Sequence, residues 1–208
     1  MMKILVKVAV VAGLLGAGSA NAAADLIVNG SFENLGFGLS VADHQAENFG
    51  KIEGWFSPTH GIEVQNNIYF MGADGHNMVE LDTNQNSSMS QLVAGTQENQ
   101  TYILSFVLQD RPGVAAESQG MQVMWDGEVI GTYGAGYGTW TTQTLTVTGS
   151  MFGADLLTFR ALGNSDSLGT LLDKVSLVSS VPEPGTYGML LSGLGMIGFM
   201  ARRRKASK

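Results

Sequence analysis

Seventeen carboxylates, three histidines and three tryptophans lie between Asp25 and Ser180, and their spacing decides what chemistry the chain can do. Glu80 and Asp82, two residues apart on an extended strand, would share one face about 7 Å apart at roughly 3.4 Å per residue. That separation suits a glycosidase pair only loosely, and with so many acids such a coincidence is expected. No Gly-x-Ser-x-Gly elbow, His-Glu-x-x-His or phosphate loop accompanies it, so the chain reads as non-catalytic, with a polysaccharide hydrolase as the remote alternative. His44, His60 and His76 show no zinc spacing and read as loop histidines, able to ligate a metal only if folding gathers them. Trp55 and Trp125 read as core residues, since large aromatics dominate sandwich interiors. Tyr69, Tyr133 and Tyr137, lying among glycines or polar residues, are candidate stacking platforms for a pyranose ring, with Trp140 beside them. Asn66, Asn67, Asn84, Gln85 and Asn86 offer amides for sugar hydroxyls, although loop composition explains them equally well. Asp173 has the strand parity of Leu171, Val175 and Leu177; if that face is the core, its carboxylate needs hydrogen bonds, a cation or a place at the rim.

The elements that must position these residues are strands. Candidates are Leu26–Asn29, Gly61–Gln65, Asn77–Leu81, Ser88–Val93, Thr101–Gln109, Met121–Trp125, Glu128–Tyr133, Trp140–Thr148, Leu156–Ala161 and Leu171–Val178. In Thr101–Gln109, Tyr102, Leu104, Phe106 and Leu108 share the face expected on the core. Asp126-Gly127 between two strand-like runs favours a type I′ hairpin turn. Asp43 to Lys51 is polar and reads as a loop. No convincing helical period occurs between Asp25 and Ser180, so this stretch is expected to be all-β, a single antiparallel β-sandwich.

The same stretch holds 17 of the 18 acidic residues and four basic ones (Lys51, Arg111, Arg160 and Lys174), a balance of −13 against −7 for the whole chain. Such charge repels nucleic acid and anionic lipid surfaces and leaves neutral polymers and divalent cations as compatible partners. There is no cysteine, which excludes disulfides, thiolate zinc sites and thiol catalysis.

Both ends read as addresses. Residues 1–24 carry Lys3 and Lys7, an apolar run from Val8 to Ala17 and small residues at Ala20 and Ala22, the pattern of a secretory signal peptide. Residues 181–208 run Pro182-Glu183-Pro184, an apolar stretch 187–201, then Arg202, Arg203, Arg204 and Lys205. The stretch is a marginal transmembrane helix, and the basic end would stay on the cytoplasmic side. Motif, span and basic end in this order resemble the PEP-CTERM sorting signal of exopolysaccharide-producing Gram-negative bacteria. The resemblance implies an exosortase that recognises Pro182, Glu183 and Pro184 and processes the chain for export or attachment; an uncut tail anchor is the alternative.

Three segments between the addresses, Asn29-Gly30-Ser31-Phe32-Glu33 with Gly54-Trp55, Gly75 to Asp82, and Leu172 to Leu177, together resemble the galactose-binding-like jelly rolls that include many carbohydrate-binding modules. This resemblance implies that the first and last strands are neighbours and that Glu33 and Asp173 hold a structural calcium ion, whose preference for hard oxygen ligands they suit. Here Leu172 precedes Asp173 where those families often have a second acid. Otherwise Glu33 is solvated and Asp173 bonds backbone amides in a turn. The reading is thus an exported, non-catalytic protein of the cell surface or extracellular matrix that binds polysaccharide, with a structural, self-associating matrix protein as the alternative.

Overall fold

The computed structural model describes residues 24–180, Gly188 and residues 190–197. The expected signal peptide (all but Ala24), the Pro182-Glu183-Pro184 motif and the basic run 202–205 lie outside the described residues. Of the expected span 187–201, Gly188 and residues 190–197 are helical. Among the described residues no helix is long and apolar enough to cross a membrane.

Twelve strands follow in order: β1 (Gln45–Phe49), β2 (Lys51–Ile52), β3 (Trp55–Phe56), β4 (Ile62–Asn66), β5 (Asn77–Glu80), β6 (Ser88–Ala94), β7 (Thr101–Gln109), β8 (Met121–Trp125), β9 (Glu128–Tyr133), β10 (Thr141–Thr148), β11 (Ala154–Ala161) and β12 (Leu171–Ser179). They form two six-stranded antiparallel sheets, one ordered β1-β4-β5-β12-β7-β10 and the other β2-β3-β6-β11-β8-β9. The fully buried Trp55, Phe32, Phe106 and Phe159 fill the space between them. The four alternating residues of β7 are all buried in this core, as the period of two requires. Asp126 (φ 49°) and Gly127 (φ 84°) are both left-handed, the conformation a type I′ turn demands.

Two expected boundaries are corrected. The polar stretch 43–51 contains strand β1, paired in register with β4 from Gln45↔Asn66 to Phe49↔Ile62. An edge strand can be exposed on both faces, so its polarity conceals it from pattern reading. Leu26–Asn29, by contrast, is not a regular strand. The segment nonetheless lies along β12, with Leu26 N donating to Leu177 O (2.9 Å) and Val175 N to Gly30 O (2.9 Å).

Strand β12 changes face midway. Its pairing with β7 shifts register between Asp173 and Ser176, and Lys174 inside the shift has φ 52°. This bulge, the device by which an antiparallel strand re-aims its side chains, puts Leu172, Val175 and Leu177 in the core cluster and leaves Leu171 out of it. Asp173 therefore does not share the face of Val175 and Leu177. It lies on the outer face of the sheet and is nevertheless fully buried.

Candidate functional site

Over Asp173 lies the loop of residues 67–76, which is tied to β12 through Asp74 N and to the start of β10 through Met71 O. Asp173 Oδ2 accepts from Asp74 N (2.9 Å) and Oδ1 from Lys174 N (2.6 Å). Glu33 Oε1 accepts from His76 N (2.7 Å) and Asn77 N (2.6 Å). The two acids expected to share a cation thus hold neighbouring amides, at 74 and at 76–77, where the loop runs into β5. Beneath it Met78, Val107 and Leu171 are buried but stand outside the main core cluster. Burial pushes the Asp173 carboxyl up to about 7, against the pull of the amides of Asp74, Lys174 and Ala73. Next to Glu33, the amide oxygen Oδ1 of Asn77 is buried without a hydrogen-bond donor, while its Nδ2 donates to Phe32 O (3.0 Å). That orphaned buried oxygen, on the residue whose backbone N bonds Glu33, is of the hard type a calcium ion takes. The described residues contain no group of three or more histidine, aspartate or glutamate side chains placed to hold a metal.

A second cluster sits on the same outer face. The strand registers bring Glu63, Glu80, Leu171 and Gln109 into one row across β4, β5, β12 and β7. Glu80 is fully buried; Arg111 Nη1 donates to it at 2.7 Å, Gln65 Nε2 at 2.7 Å and Gly169 N at 2.6 Å. Gln65 Nε2 also donates to Glu63 (2.8 Å), so one amide serves two facing acids. Burial raises both carboxyls, Glu80 to about 8, although Arg111 pulls each of them down. Asp82, the other half of the suggested catalytic pair, accepts from Asp166 N (2.8 Å) and Leu168 N (3.3 Å). Both acids are buried and occupied in holding the loop that ends at Gly169, which is a structural task.

Arg111 extends the cluster to the surface. Its Nη2 and Nε donate to Tyr69 Oη at 2.7 and 3.1 Å, and the guanidinium carbon lies 5.2 Å from the ring centre. Tyr69 is exposed, its ring centre 6.5 Å from that of Phe70; Phe70 in turn meets Trp140 edge-on at 5.6 Å. Trp140 Nε1 donates to Met71 O (3.2 Å), which ties the loop to the start of β10. Of the three tyrosines singled out in the sequence, Tyr69 alone is exposed. Tyr133 and Tyr137 are half-buried against the core, Tyr133 edge-on to Phe106 at 5.6 Å. Asn66 Nδ2 donates to Val41 O and Asn67 Nδ2 to Asp43 Oδ1, each at 3.0 Å. Folding brings His44 and His76 to Asn67, which receives from His44 Nδ1 at its carbonyl (2.7 Å) and contacts His76 Nδ1 through Nδ2 (3.2 Å). Arg111 and Phe70 were not singled out by sequence reasoning. The available signal was that Arg111 is one of four cations among 17 acids, so a buried acid had few partners to choose from.

The opening motif has a physical account residue by residue. Asn29 adopts φ 56° and its side chain bonds Asn34 O, Asn34 N and Glu53 O, while its carbonyl accepts Trp55 Nε1 (3.1 Å). Phe32 is fully buried with its ring centre 5.8 Å from that of Trp55. Glu33 clamps the loop.

With this geometry in place, comparison with known proteins adds three findings. The family model described as the PEP-CTERM protein-sorting motif matches residues 180–205. The tail is a PEP-CTERM sorting motif. It marks the chain for export and carries a C-terminal sorting signal. The chain is also 32% identical over 157 residues to a multifunctional-autoprocessing repeats-in-toxin of Vibrio vulnificus, a match covering 74% of this chain and 3% of the toxin. The corresponding Vibrio cholerae toxin is 31% identical over 161 residues, again covering 3% of its length. The PEP-CTERM chain therefore spans a small fraction of the curated relatives it matches. Among solved structures, a family 16 carbohydrate-binding module superposes with TM-score 0.51 at 16% identity, covering 74% of this chain and 99% of the module. An arabinose-bound GH51 α-L-arabinofuranosidase gives TM-score 0.52 at 12% identity, covering 77% of this chain and 27% of the enzyme. These likenesses establish the fold as a jelly-roll sandwich of the kind carbohydrate-binding modules use.

Proposed function

We propose that this is an exported, non-catalytic glycan-binding protein, processed by an exosortase at Pro182-Glu183-Pro184 and acting at the cell surface or in the extracellular matrix. The observation that carries the reading is the surface formed by Tyr69, Phe70 and Trp140, with the Tyr69 ring fixed by the two-pronged contact of Arg111. An aromatic ring held in place before binding accepts the C–H face of a pyranose with little ordering cost. Asn66 and Asn67 precede Tyr69 in the chain, but their Nδ2 groups serve Val41 O and Asp43 Oδ1 and their Oδ1 atoms are buried, so the reading rests on the rings alone. The domain's acidity favours a neutral polymer. The core residues all lie between Ile27 and Leu177, so residues 24–180 can be produced alone for titration against a glycan panel. A neutral glycan is expected to bind, and Tyr69→Ala to weaken it at least about tenfold, the loss of one stacking contact worth roughly 1.4 kcal/mol. Failure of every glycan, with and without calcium, would remove this function.

The reading includes a structural calcium ion held by Glu33 and Asp173, with Asn77 Oδ1 as a neutral ligand. The ion would supply charge for a buried carboxylate and rigidity for the loop that carries Tyr69. Calcium at about a hundred times its Kd should stabilise residues 24–180 by ~3 kcal/mol, and Asp173→Asn should abolish that increment. An unchanged Tm on adding calcium or chelator would exclude the ion.

A further inference from the structure

The two sheets have four edges, and three are protected against pairing with another chain in recognisable ways. Strand β1 is five residues long and carries Glu47; β2 is two residues long and carries Lys51. Strand β9 carries Glu128 and Gly131, and its pairing with β8 is interrupted by a register shift at Val123/Met124. The fourth edge, β10, has none of these devices. Its eight residues, Thr-Thr-Gln-Thr-Leu-Thr-Val-Thr, include no charge, glycine or proline. Its register with β7 runs unbroken from Thr141↔Leu108 to Thr148↔Thr101. Among the described residues no strand and no loop backbone hydrogen-bonds its other side; the Thr148 carbonyl accepts Trp125 Nε1 (3.0 Å).

We propose that β10 is a self-association edge, pairing antiparallel with β10 of a second copy about a two-fold axis to join two six-stranded sheets into one of twelve strands. Three features select a second copy. Antiparallel pairing of identical strands is self-complementary, as a two-fold interface requires. Two domains each carrying −13 repel over most of their surfaces, but β7 and β10 contain no charged residue, so this end of the sheet is where copies can meet at least electrostatic cost. The same end leaves Leu145, Ile130, Tyr133 and Tyr137 half-buried against the core, and the Leu145 methyl lies against Gly131 of β9, so a second copy would cover apolar surface as well as strand backbone.

The absence of cysteine from the chain makes the test direct. Thr142→Cys, Thr144→Cys and Thr146→Cys would be introduced singly into the full chain and oxidised, alone and mixed in pairs. Directly opposed residues on one sheet face lie about 4.5–5.5 Å apart at Cβ, near enough for a disulfide. One position, or one mixed pair, should give a dimer of this chain, whereas Leu92→Cys, exposed on the other sheet, should not. By sedimentation the mass of the 24–180 domain should double at high salt, where repulsion is screened. Thr144→Lys with Thr146→Lys should return it to the monomer without lowering its melting temperature, and Thr144→Val should leave it dimeric. A monomer at every salt concentration with no cross-link, a dimer that survives both lysines, or cross-linking to a different polypeptide would each overturn the proposal. No glycan enters the experiment, so its outcome is separate from that of glycan binding.

Discussion

Replacing Arg111 with Met should destabilise the domain by about 3 kcal/mol at pH 10, where the wild-type pair is ionised, the magnitude seen when one partner of a buried ion pair is removed. Glu80 has no exposed surface and the Arg111 side chain is 16% exposed, so the stranded carboxylate could not recover its hydration. For a domain of this size the loss should appear as a Tm lower by roughly 6–12 °C. The deficit should shrink at pH 5. Burial raises the folded-state pKa of Glu80 from 4.5 to about 8, so between those values the folded chain holds a proton that the unfolded chain releases. The contribution of this group to stability is therefore greatest below about pH 4.5 and declines as pH rises to about 8. Taking Arg111 away should push the carboxyl higher still, so the variant loses most where the wild type is most ionised. Combining Arg111→Met with Glu80→Met should recover most of the stability, because a paired deletion leaves no charge behind. Chemical denaturation of the four proteins at pH 5 and pH 10 measures all of these values. An Arg111→Met deficit that is the same at both pH values would show that the pair is not the source of the effect.

Gly30→Ala should be comparably severe for a different reason. A Cβ on Gly30 would lie 1.9 Å from the carbonyl oxygen of Val175 and 2.9 Å from its carbon. Both are backbone atoms, and Val175 N donates to Gly30 O across the same contact. No rotamer change relieves the overlap, so either the opening segment or the bulged part of β12 must move. The expected loss is about 3 kcal/mol, at the upper end for overpacking. It should appear in urea denaturation as a lower midpoint at unchanged slope. Gly134→Ala, with open space around its α-carbon, is the control and should remain within about 0.5 kcal/mol of wild type.

These two sites mark the division between what could and could not be read from the residues alone. Asp126-Gly127 was legible because it encodes a local backbone demand, two left-handed residues in a tight turn, whereas Asn29-Gly30-Ser31-Phe32-Glu33 was picked out by its resemblance to jelly-roll openings, and its left-handed Asn29 and close approach at Gly30 emerge only in the fold. Strands β7, β8 and β9 were legible to the residue because alternation and turn chemistry agree there. Strand β1 was not, since an edge needs no apolar face. The parity that Asp173 shares with Val175 and Leu177 in the sequence does not become a shared face, because a bulge at Lys174 resets the alternation and nothing in the sequence of β12 announces it. The Arg111–Glu80 pair joins residues 31 apart in the chain, so only the folded sheet brings them together. Tyr69 was correctly placed at the surface, while Tyr133 and Tyr137 were drawn inward by aromatic neighbours that sequence proximity does not reveal.

Met78, Val107 and Leu171 are buried on the outer face of their sheet, and the sheet itself separates them from the main interior. On the proposed function, the loop that carries Tyr69 would rest on this small second core and not on the main one. Under the proposed glycan-binding function, substitutions within 69–74 should alter binding more than they lower the stability of the jelly roll, which would make the segment the natural place for new specificities to arise.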